Sequence, residues 1–561
     1  MISFEGLNEN FHFLVLEVEN QVYSTFDYLN APEPDLCERI IARDDYIDNL
    51  KNTVENDCFA KLLSTSQQRL TAREINTIRA MQVIAVNLER MADFCVNIVR
   101  QVHYLTDYQF LYSFNYENML TEIASGIQGV VPAMKQRKLS SALDICKTEN
   151  RLDSMYKELF DRIMDELKTV STDPADYITM LFIIRYLERI GDSLLNIGEA
   201  VIFAIIGEKI KINQFQALQE TLNKSGFEGS VSDVDLKFIL GTRSGCKVGR
   251  LENRLEDNRQ RAHDSIFKEG PLKKIRNEKQ NLERWHALQP DLVPKIFSYH
   301  EETDEDRGSL LLELLPGCTM DEAVLNSDWE TLSNASFVLQ ETVREVWQAT
   351  RRKAEVQTSF VRQIRERMSV VRQVHPEFIR QSELVGDQRV LSTEELLQRC
   401  TSIERELWPD FSVFIHGDFN VSNIVYNHTE QKVHFIDLHR SRDFDFLQDV
   451  SVFLVSNFRM PVTEPYRRQR INWMISQFYA FVAEFAVQGG DRTFGARLAL
   501  ALARSFYTST RFELGAPLAR EMFARSHRLM EDLVAHSGRP WSEFVFPESI
   551  LYYHPGGEGG E

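Results

Sequence analysis

Apolar residues recur every three or four positions through the first two hundred residues, and this spacing predicts long amphipathic helices. The clearest apolar line occurs twice, at a constant offset of 99 residues, within LERMADFCVNI and LERIGDSLLNI. Its members are Leu88, Met91, Cys95 and Ile98 in the first copy and Leu187, Ile190, Leu194 and Ile197 in the second. The helical stretches that precede the two copies are residues 5–30, 36–64, 113–138 and 140–169. The pattern therefore predicts a duplicated three-helix bundle.

The pattern changes after residue 220, where a small, polar segment predicts a linker. Strand-like segments then alternate with a helix, and from residue 329 the helical spacing returns. The predicted fold class is multidomain, with all-α tandem three-helix bundles followed by a two-lobed α+β domain. The predicted divisions are the bundles at 1–220, the linker at 221–233, a smaller lobe at 234–318, a mostly helical larger lobe at 319–545 and a disordered tail at 546–561.

Composition and charge narrow the function classes. The chain has 43% hydrophobic and 26% charged residues, which is ordinary for a soluble globular protein. Its net charge of −19 repels polyanions, so we expect no nucleic-acid partner. Seven scattered cysteines without a CxxC pair predict free thiols in a reducing compartment. Because no leader pattern and no long apolar run are present, we expect a cytoplasmic protein without a membrane span.

The stretch HGDFNVSNIVYNHTEQKVHFIDLHR, residues 416–440, is the richest in candidate chemistry. Two alternating segments flank a polar turn and predict a β-hairpin. A hairpin brings Asn423, at the start of one strand, to the same end as Asp437, which follows the other strand. Asp418 lies in the loop just before. We therefore expect three oxygen ligands at one place, the alternative being polar residues that merely close turns.

Phosphoryl transfer needs a divalent metal on the nucleotide phosphates and a carboxylate that accepts the attacking hydroxyl. We expect Asp418 to be that catalytic carboxylate, with Asn423 and Asp437 as ligands of Mg²⁺. The spacing His416-x-Asp418-x4-Asn423, with an Ile-Asp pair after the hairpin, resembles the aminoglycoside phosphotransferase and choline kinase branch of the protein-kinase-like fold. The resemblance covers residues 233–545 approximately and implies ATP or GTP as the phosphoryl donor.

Two further residues near this loop are expected to support it. His416 is expected to hold the loop through backbone hydrogen bonds, with contact to substrate or phosphate as the alternative. Asp449 matches another aspartate of the resembled family, and we expect it to brace the same loop.

The smaller lobe offers a lysine and a glutamate for the nucleotide. Lys268 ends a predicted strand, and Glu278 follows on an amphipathic helix. In the resembled fold such a lysine grips the α and β phosphates and the glutamate orients it. Lys273, Lys274 and Glu283 remain rival partners, and a plain surface ion pair is the alternative.

Two other segments of this lobe bear on the nucleotide. SLLLELLPG at residues 309–317 resembles the strand that links the lobes, where backbone groups of Glu313 and Leu315 would read the base. The turn GTRSG either covers the phosphates or is an ordinary hairpin turn.

Acidic residues on the bundle helices recur at four-residue spacing and therefore share a helix face. They are Asp44, Asp48, Glu89 and Asp93 in the first half and Glu149, Asp153, Glu188 and Asp192 in the second. Facing carboxylates are candidate ligands for divalent cations, and a solvated acidic face is the alternative. The duplicated bundle with these acids resembles PhoU, the phosphate-uptake regulator, over residues 1–215 approximately. The resemblance implies a divalent or iron cluster and action on a phosphate transporter or its sensor kinase, and it leaves a homodimer open.

Two functions are in competition. The first is a Mg²⁺- and ATP-dependent phosphotransferase acting on a small-molecule hydroxyl, coupled to a PhoU-like regulatory region. The alternative is a non-catalytic nucleotide-binding regulator of phosphate uptake and signalling. IDLHRSR, at residues 436–442, also resembles sugar kinases of the lipopolysaccharide core, which adds a glycan to the candidate acceptors. A protein kinase is disfavoured because the DFG and APE signatures are absent.

Overall fold

The structure is a computed structural model that describes residues 4–63, 70–168, 174–225, 234–238, 246–253, 265–303, 306–385 and 388–554. Its backbone contacts divide the chain into two compact units, residues 1–267 and 268–561.

The first unit is dominated by long helices. In chain order they are α1 (Phe4–Asn30), α2 (Pro34–Leu63), α3 (Ala72–Val102), α4 (Glu117–Gln136), α5 (Leu139–Leu167), α6 (Ala175–Ile206) and α7 (Ile212–Lys224). A capping box opens α3, with Thr71 Oγ1 accepting from the Glu74 N–H and the Glu74 carboxylate accepting from the Thr71 N–H. The bundles predicted from the periodicity are confirmed.

The repeated apolar line forms the core of this unit. Helix α3 packs against α6, α2 packs against α3, and α5 packs against α6. Every residue of the line is at most 1% exposed. Burying such side chains contributes roughly 1.5–3 kcal/mol each, which explains why the line dictates the helix orientation.

The predicted linker begins too early. Residues 221–224 belong to α7, where Thr221 and Leu222 are buried, because the amphipathic pattern continues to the end of that helix. Residues 226–233 lie outside the described part of the chain. Beyond them β1 (Val234–Phe238) pairs antiparallel with β2 (Lys247–Asn253), and the predicted GTRSG turn at 241–245 also lies outside the described residues.

The second unit begins within β3 (Ser265–Pro271). Helix α8 (Leu272–Leu288) follows β3 in the chain. The next two strands, β4 (Ile296–Glu302) and β5 (Arg307–Glu313), pair antiparallel. On its other side, β5 lies next to β3 in the sheet. On α8, Leu282 and Trp285 are buried, as their helical spacing predicts.

The rest of the second unit is mostly helical with short strands. The strands are β6 (Cys318–Thr319), β7 (Arg352–Lys353), β8 (Glu383–Val385), β9 (Gln388–Val390), β10 (Phe411–Ile415), β11 (Ile424–Asn427), β12 (Lys432–Phe435) and β13 (Arg442–Phe444). The helices are α9 (Met320–Asn326), α10 (Trp329–Thr350), α11 (Phe360–Val374), α12 (Thr393–Glu406), α13 (Leu447–Phe458), α14 (Pro465–Gln488), α15 (Phe494–Ser509) and α16 (Ala516–His536).

Two small sheets support the loop of interest. One has the order β13-β10-β7 and the other β12-β11-β6, and neighbouring strands in both are antiparallel. Strand β10 is buried at every position, which fixes the residue that follows it, His416, under the surface. Helix α10 packs against β10 and β12, while α13 packs against α15 and α15 against α16. The mixed α and β composition predicted for this region is confirmed.

The predicted disordered tail is wrong for residues 546–554. A 3₁₀ turn spans Glu548–Leu551, with Ile550 and Leu551 buried, and the Asn472 amide donates to Tyr553 O at 3.0 Å. Apolar burial therefore holds the chain beyond the last long helix, and residues 555–561 lie outside the described part.

Two whole-chain expectations can be compared with the structure. All seven cysteines are free, and six of them are buried, as predicted. Among the described helices, none is both long enough and apolar enough to cross a membrane.

Candidate active site

The predicted hairpin is present, and its register gathers the candidate residues at one end. Ile424 stands opposite Phe435 in the β11–β12 pair. The Ile436 N–H donates to Asn423 O at 3.0 Å, which extends the pairing by one step towards Asp437. The Asn423 side-chain amide donates to Asp418 O at 2.9 Å and so ties the preceding loop to the hairpin.

Lys268 lies between two carboxylates. Its ammonium donates to Glu278 Oε2 at 2.5 Å and to Asp437 Oδ1 at 2.6 Å. Lys268 is 5% exposed and Glu278 is 2% exposed, so this pair is not a surface ion pair. Burial alone would lower the pKa of Lys268, but the charges of Glu278 and Asp437 outweigh it and raise that pKa above its ordinary value. The ammonium is therefore held charged in the interior.

Of the rival residues, Glu283 has a different partner. Glu283 pairs with Lys279 at 2.8 Å on the exposed side of α8, and Lys268 is the lysine that Glu278 binds. Lys268 on β3 and Glu278 on α8, ten residues apart in the sequence, therefore form the pair that the sequence analysis expected.

A chain of polar contacts that the sequence analysis missed links Asp437 to Asp418. The Nδ1 atom of His439 donates to Asp437 Oδ1 at 3.0 Å, and its Nε2 atom accepts from Arg440 Nε at 3.2 Å. Arg440 Nη1 in turn lies 3.0 Å from Asp418 Oδ2. In these contacts Nδ1 of the imidazole is the donor and Nε2 is the acceptor. The sequence signal that could have revealed them is the dipeptide His439-Arg440, which immediately follows Asp437 and Leu438. Its spacing alone did not indicate a function.

His416 and Asp449 hold the loop from below. Asp449 accepts the N–H groups of His416 at 2.7 Å and Gly417 at 2.8 Å, one on each carboxylate oxygen. His416 Nε2 donates to Ile436 O at 2.9 Å, and its Nδ1 accepts from the Asp418 N–H at 3.3 Å. Burial lowers the pKa of His416 and raises the pKa of Asp449 to about 7. The polar atoms of both side chains are therefore hydrogen-bonded to backbone groups of the loop and of the hairpin end.

Gly417 lets this loop approach the segment after β12. Its φ is +84°, and a Cβ there would lie 2.3 Å from Arg440 O. A side chain would therefore be both conformationally strained and sterically excluded. The glycine allows Asp418 and Arg440 to lie side by side.

The segment expected to read the base follows β5. The Glu313 N–H donates to Lys295 O at 2.9 Å, so the carbonyl of Glu313 is the backbone group of that residue left for a ligand. Downstream, Gly317 has φ +120°, and a Cβ there would lie 2.3 Å from Tyr426 O. This close approach fixes the chain beyond Leu315 against the hairpin.

The residues that could hold Mg²⁺ present hard oxygen atoms at the end of the hairpin. Asn423 donates through its amide nitrogen, so its oxygen faces away from that bond and accepts no hydrogen bond from the described residues. Within the described part of the chain, the group of metal-binding side chains whose ligand atoms lie within 4.8 Å of one another is Glu278, Asp437 and His439. Lys268 and His439 already contact Oδ1 of Asp437, which leaves Oδ2 of that carboxylate for a metal.

The acidic residues of the bundle lie in two clusters, one on α2 and α3 and one on α5 and α6. Burial, followed by the charges of Asp93 and Glu89, raises the pKa of Asp44 to about 6. Lys51 pairs with Asp48 at 3.0 Å and lies 3.8 Å from Glu89. In the second cluster burial and neighbouring carboxylates raise the pKa of Glu149 and of Glu188. The clusters are thus crowded with negative charge but partly neutralised by basic side chains.

The second unit has a smaller lobe of sheet and helix that contains a buried lysine–glutamate pair. A mostly helical lobe follows and carries the loop and the hairpin. This arrangement defines a kinase-like phosphotransferase domain. The family described as "Phosphotransferase enzyme family" matches residues 253–485, and the PhoU domain family matches residues 14–102 and 116–201. The chain therefore joins a PhoU region to a domain of the phosphotransferase enzyme family.

Relatives and solved structures resemble each half separately. A phosphate-specific transport system accessory protein PhoU homolog of Clostridium acetobutylicum is 29% identical over 216 residues, which is 37% of this chain and 97% of the relative. The PhoU crystal structure from Pseudomonas aeruginosa aligns with 36% of this chain and 97% of its own, at 20% identity and a TM-score of 0.31. Aminoglycoside phosphotransferase APH(3'')-Id from Streptomyces rimosus aligns with 56% of this chain and 97% of its own, at 17% identity and a TM-score of 0.33.

Proposed function

We propose that the second unit transfers the γ-phosphoryl group of a Mg²⁺-bound nucleoside triphosphate, ATP or GTP, to a hydroxyl of a small molecule or glycan. The observation that carries the proposal is Lys268, held between Glu278 at 2.5 Å and Asp437 at 2.6 Å in the interior. Leaving a charged lysine buried is costly unless it serves a purpose that an apolar side chain cannot. A lysine fixed by a glutamate beside a metal-binding aspartate suits nucleotide phosphates.

Asn423 and Asp437 are the proposed Mg²⁺ ligands. The carbonyl of Glu313 and the N–H of Leu315 are proposed to form hydrogen bonds with the base of the nucleotide. When bound, Mg²⁺ neutralises the phosphate charge that develops during transfer. Asp437 is suited to this role because His439 and Lys268 lower its pKa despite burial, so it stays ionised. Asn423 is suited because its side-chain oxygen accepts no hydrogen bond from the described residues.

Asp418 is the proposed catalytic base. Its carboxylate takes the proton of the acceptor hydroxyl while the oxygen forms a bond to the γ-phosphorus. The bond from that phosphorus to the β–γ bridging oxygen breaks, and the nucleoside diphosphate leaves with the electron pair. Arg440, 3.0 Å from Asp418, steadies the carboxylate, and His416 with Asp449 fixes the backbone on which Asp418 stands.

Substitution of the base tests this assignment. Asp418→Asn should leave Mg²⁺-dependent nucleotide binding unchanged and reduce acceptor-dependent transfer by roughly 10²- to 10⁴-fold. Asp443→Asn is the matched control, because Asp443 is a half-exposed carboxylate nearby that pairs with Arg284. Nucleotide turnover in Asp418→Asn equal to that of the control would defeat the assignment.

An acceptor screen separates catalysis from the alternative of a non-catalytic regulator. Purified full-length protein is assayed for acceptor-dependent ADP and GDP formation with sugars, aminoglycosides, choline-like alcohols and nucleosides. Calorimetry with and without Mg²⁺ measures nucleotide binding in parallel. Mg²⁺-dependent binding without turnover on any acceptor would favour the regulator.

For the PhoU region we propose a metal-binding regulatory role that ties activity to phosphate status, acting with a phosphate transporter or its sensor kinase. The supporting observation is Asp44, whose Oδ1 atom is buried and accepts no hydrogen bond among the described residues, beside Glu89 and Asp93. A divalent cation or iron there would relieve the repulsion. Elemental analysis of the purified protein tests this, with loss of metal expected in Asp44→Asn and retention in Asp144→Asn, an exposed acid on α5.

A further inference from the structure

Arginines outnumber acids around Asp418. Six of them influence one another or Asp418 electrostatically, while the acids acting on Arg504 and Arg511 are Asp418 and Asp449. The six are Arg367 on α11, Arg440 after β12, Arg442 on β13, Arg459 at the end of α13, Arg504 on α15 and Arg511 in the 3₁₀ turn that follows α15. Six guanidinium groups face two carboxyl groups, so the cluster carries an excess of positive charge.

Two of these arginines have polar atoms without a partner. Arg504 is 6% exposed, and its Nε atom is buried without a hydrogen bond among the described residues. The Nη1 atom of Arg511 is likewise buried and unbonded. Neither guanidinium forms an ion pair with a described carboxylate within 4.0 Å, whereas Arg440 and Arg497 of the same unit do. Buried, unsatisfied donors on charged groups are rare because they are costly.

The electrostatics agree with the geometry. Burial, followed for Arg511 by the charges of Arg367 and Arg440, lowers the pKa of both Arg504 and Arg511 to about 10. Helix α11 packs against α15 and against the turn that carries Arg511, so these cations are held near one another by the fold. An anion among them would relieve the repulsion and occupy the free N–H donors.

We propose that the acceptor bears a phosphate or carboxylate group in addition to the hydroxyl that reacts, and that Arg511 binds this anion beside Asp418. The inference rests on the proposed phosphotransfer and names its substrate class. The guanidinium presents a planar fork that matches either anion through two parallel hydrogen bonds. A polycationic acceptor would meet these six arginines and be repelled.

A matched acceptor set tests the charge preference. Glucose, glucosamine, glucuronate and glucose 6-phosphate are compared with the corresponding mannose and ribose derivatives, at equal ionic strength, by acceptor-dependent ADP formation. Turnover concentrated on the phosphorylated or carboxylated members supports the inference, and the ratio between those two classes identifies the anion. Faster turnover on the neutral or amino members overturns it.

A variant pair tests Arg511 itself. Arg511→Met should raise the acceptor KM by roughly tenfold to hundredfold, as expected for loss of a charge-assisted hydrogen bond, with the nucleotide KM changed less than twofold. Arg528→Met is the matched control, since Arg528 is an exposed arginine on α16 that pairs with Asp532, and both KM values should stay constant. An equal rise in both KM values for Arg511→Met would assign the arginine to the nucleotide and overturn the inference, as would an unchanged acceptor KM.

A binding measurement separates this inference from the proposed function. Protein saturated with Mg²⁺-ADP is titrated with glucose 6-phosphate or glucuronate against potassium chloride of equal ionic strength, and the thermal midpoint is followed. Stabilisation by an anion that is lost in Arg511→Met and kept in Arg528→Met supports the anion site. If no acceptor is turned over in spite of that stabilisation, the proposed phosphotransfer is wrong but the anion site stands. Absence of stabilisation overturns the anion site, whether or not a neutral acceptor is phosphorylated.

Discussion

Lys268 shows how much one residue depends on its partners. Replacing it with methionine leaves Glu278 buried and facing Asp437 with no cation between them, which should cost about 3–5 kcal/mol in unfolding free energy. Urea unfolding of the full chain measures this loss. The double variant Lys268→Met/Glu278→Gln should recover part of it, because the uncompensated charge is removed.

Lys279 provides the comparison for that measurement. It forms a similar ion pair with Glu283 on the same helix, but the two side chains are 32% and 55% exposed. Lys279→Met should therefore cost less than about 1 kcal/mol. Equal losses in the two lysine variants would contradict the view that burial decides the cost.

Asp449 should give the protein a measurable pH dependence. Its pKa is raised by burial to about 7 from an ordinary value of about 4, so the folded state holds a proton that the unfolded state releases. Stability relative to the Asp449→Asn variant should therefore fall as pH rises from about 4 through about 7, by on the order of 1 kcal/mol per pH unit. Urea titrations at pH 5, 6 and 7 check the slope, and parallel stability curves for the two proteins would speak against it.

At the scale of elements, the turn at Gly417 determines whether the loop and the segment after β12 can meet. Gly417→Ala should reduce phosphotransfer by at least tenfold, because its Cβ would lie 2.3 Å from Arg440 O and push Asp418 away from Arg440. Steady-state kinetics of the full chain give the result.

Gly490 isolates the steric effect from backbone strain. Its φ is +70°, but a Cβ there would meet nothing within 4 Å. Gly490→Ala should cost about 1–2 kcal/mol in stability through the left-handed conformation and leave turnover unchanged. If both alanine variants keep full activity, the close approach at Gly417 has no part in catalysis.

At the scale of the whole molecule, two compact units should unfold as two calorimetric transitions. Gly198→Val should lower one midpoint, because a Cβ at Gly198 would already lie 2.4 Å from Cys146 Sγ between α6 and α5. Lys268→Met should lower the other. Saturating Mg²⁺-ADP should raise only the transition that Lys268→Met lowers, by about 2.7 kcal/mol at a hundredfold excess over Kd. Movement of both transitions by either variant would show that the units unfold together.

Prediction from sequence worked best where one element carries the whole signal. The apolar lines of α3 and α6, the capping box at Thr71 and the hairpin β11–β12 are local patterns, and each is present. It failed at edges: Leu288 has the spacing of an inward residue but is 42% exposed at the last position of α8. The helix ends there, so its periodicity no longer implies a neighbour.

Sequence by itself determined the duplicated helices, the order of the two regions and the short motif that carries Asp418, Asn423 and Asp437, because hydrophobic period and residue spacing are properties of neighbours along the chain. Only the tertiary structure decided that Lys268 binds Asp437, 169 residues away, and that Arg504 and Arg511 come near Asp418. Such contacts depend on how separate elements pack. The hydrophobic periodicity of one element does not show which charged residues the neighbouring elements will place beside it.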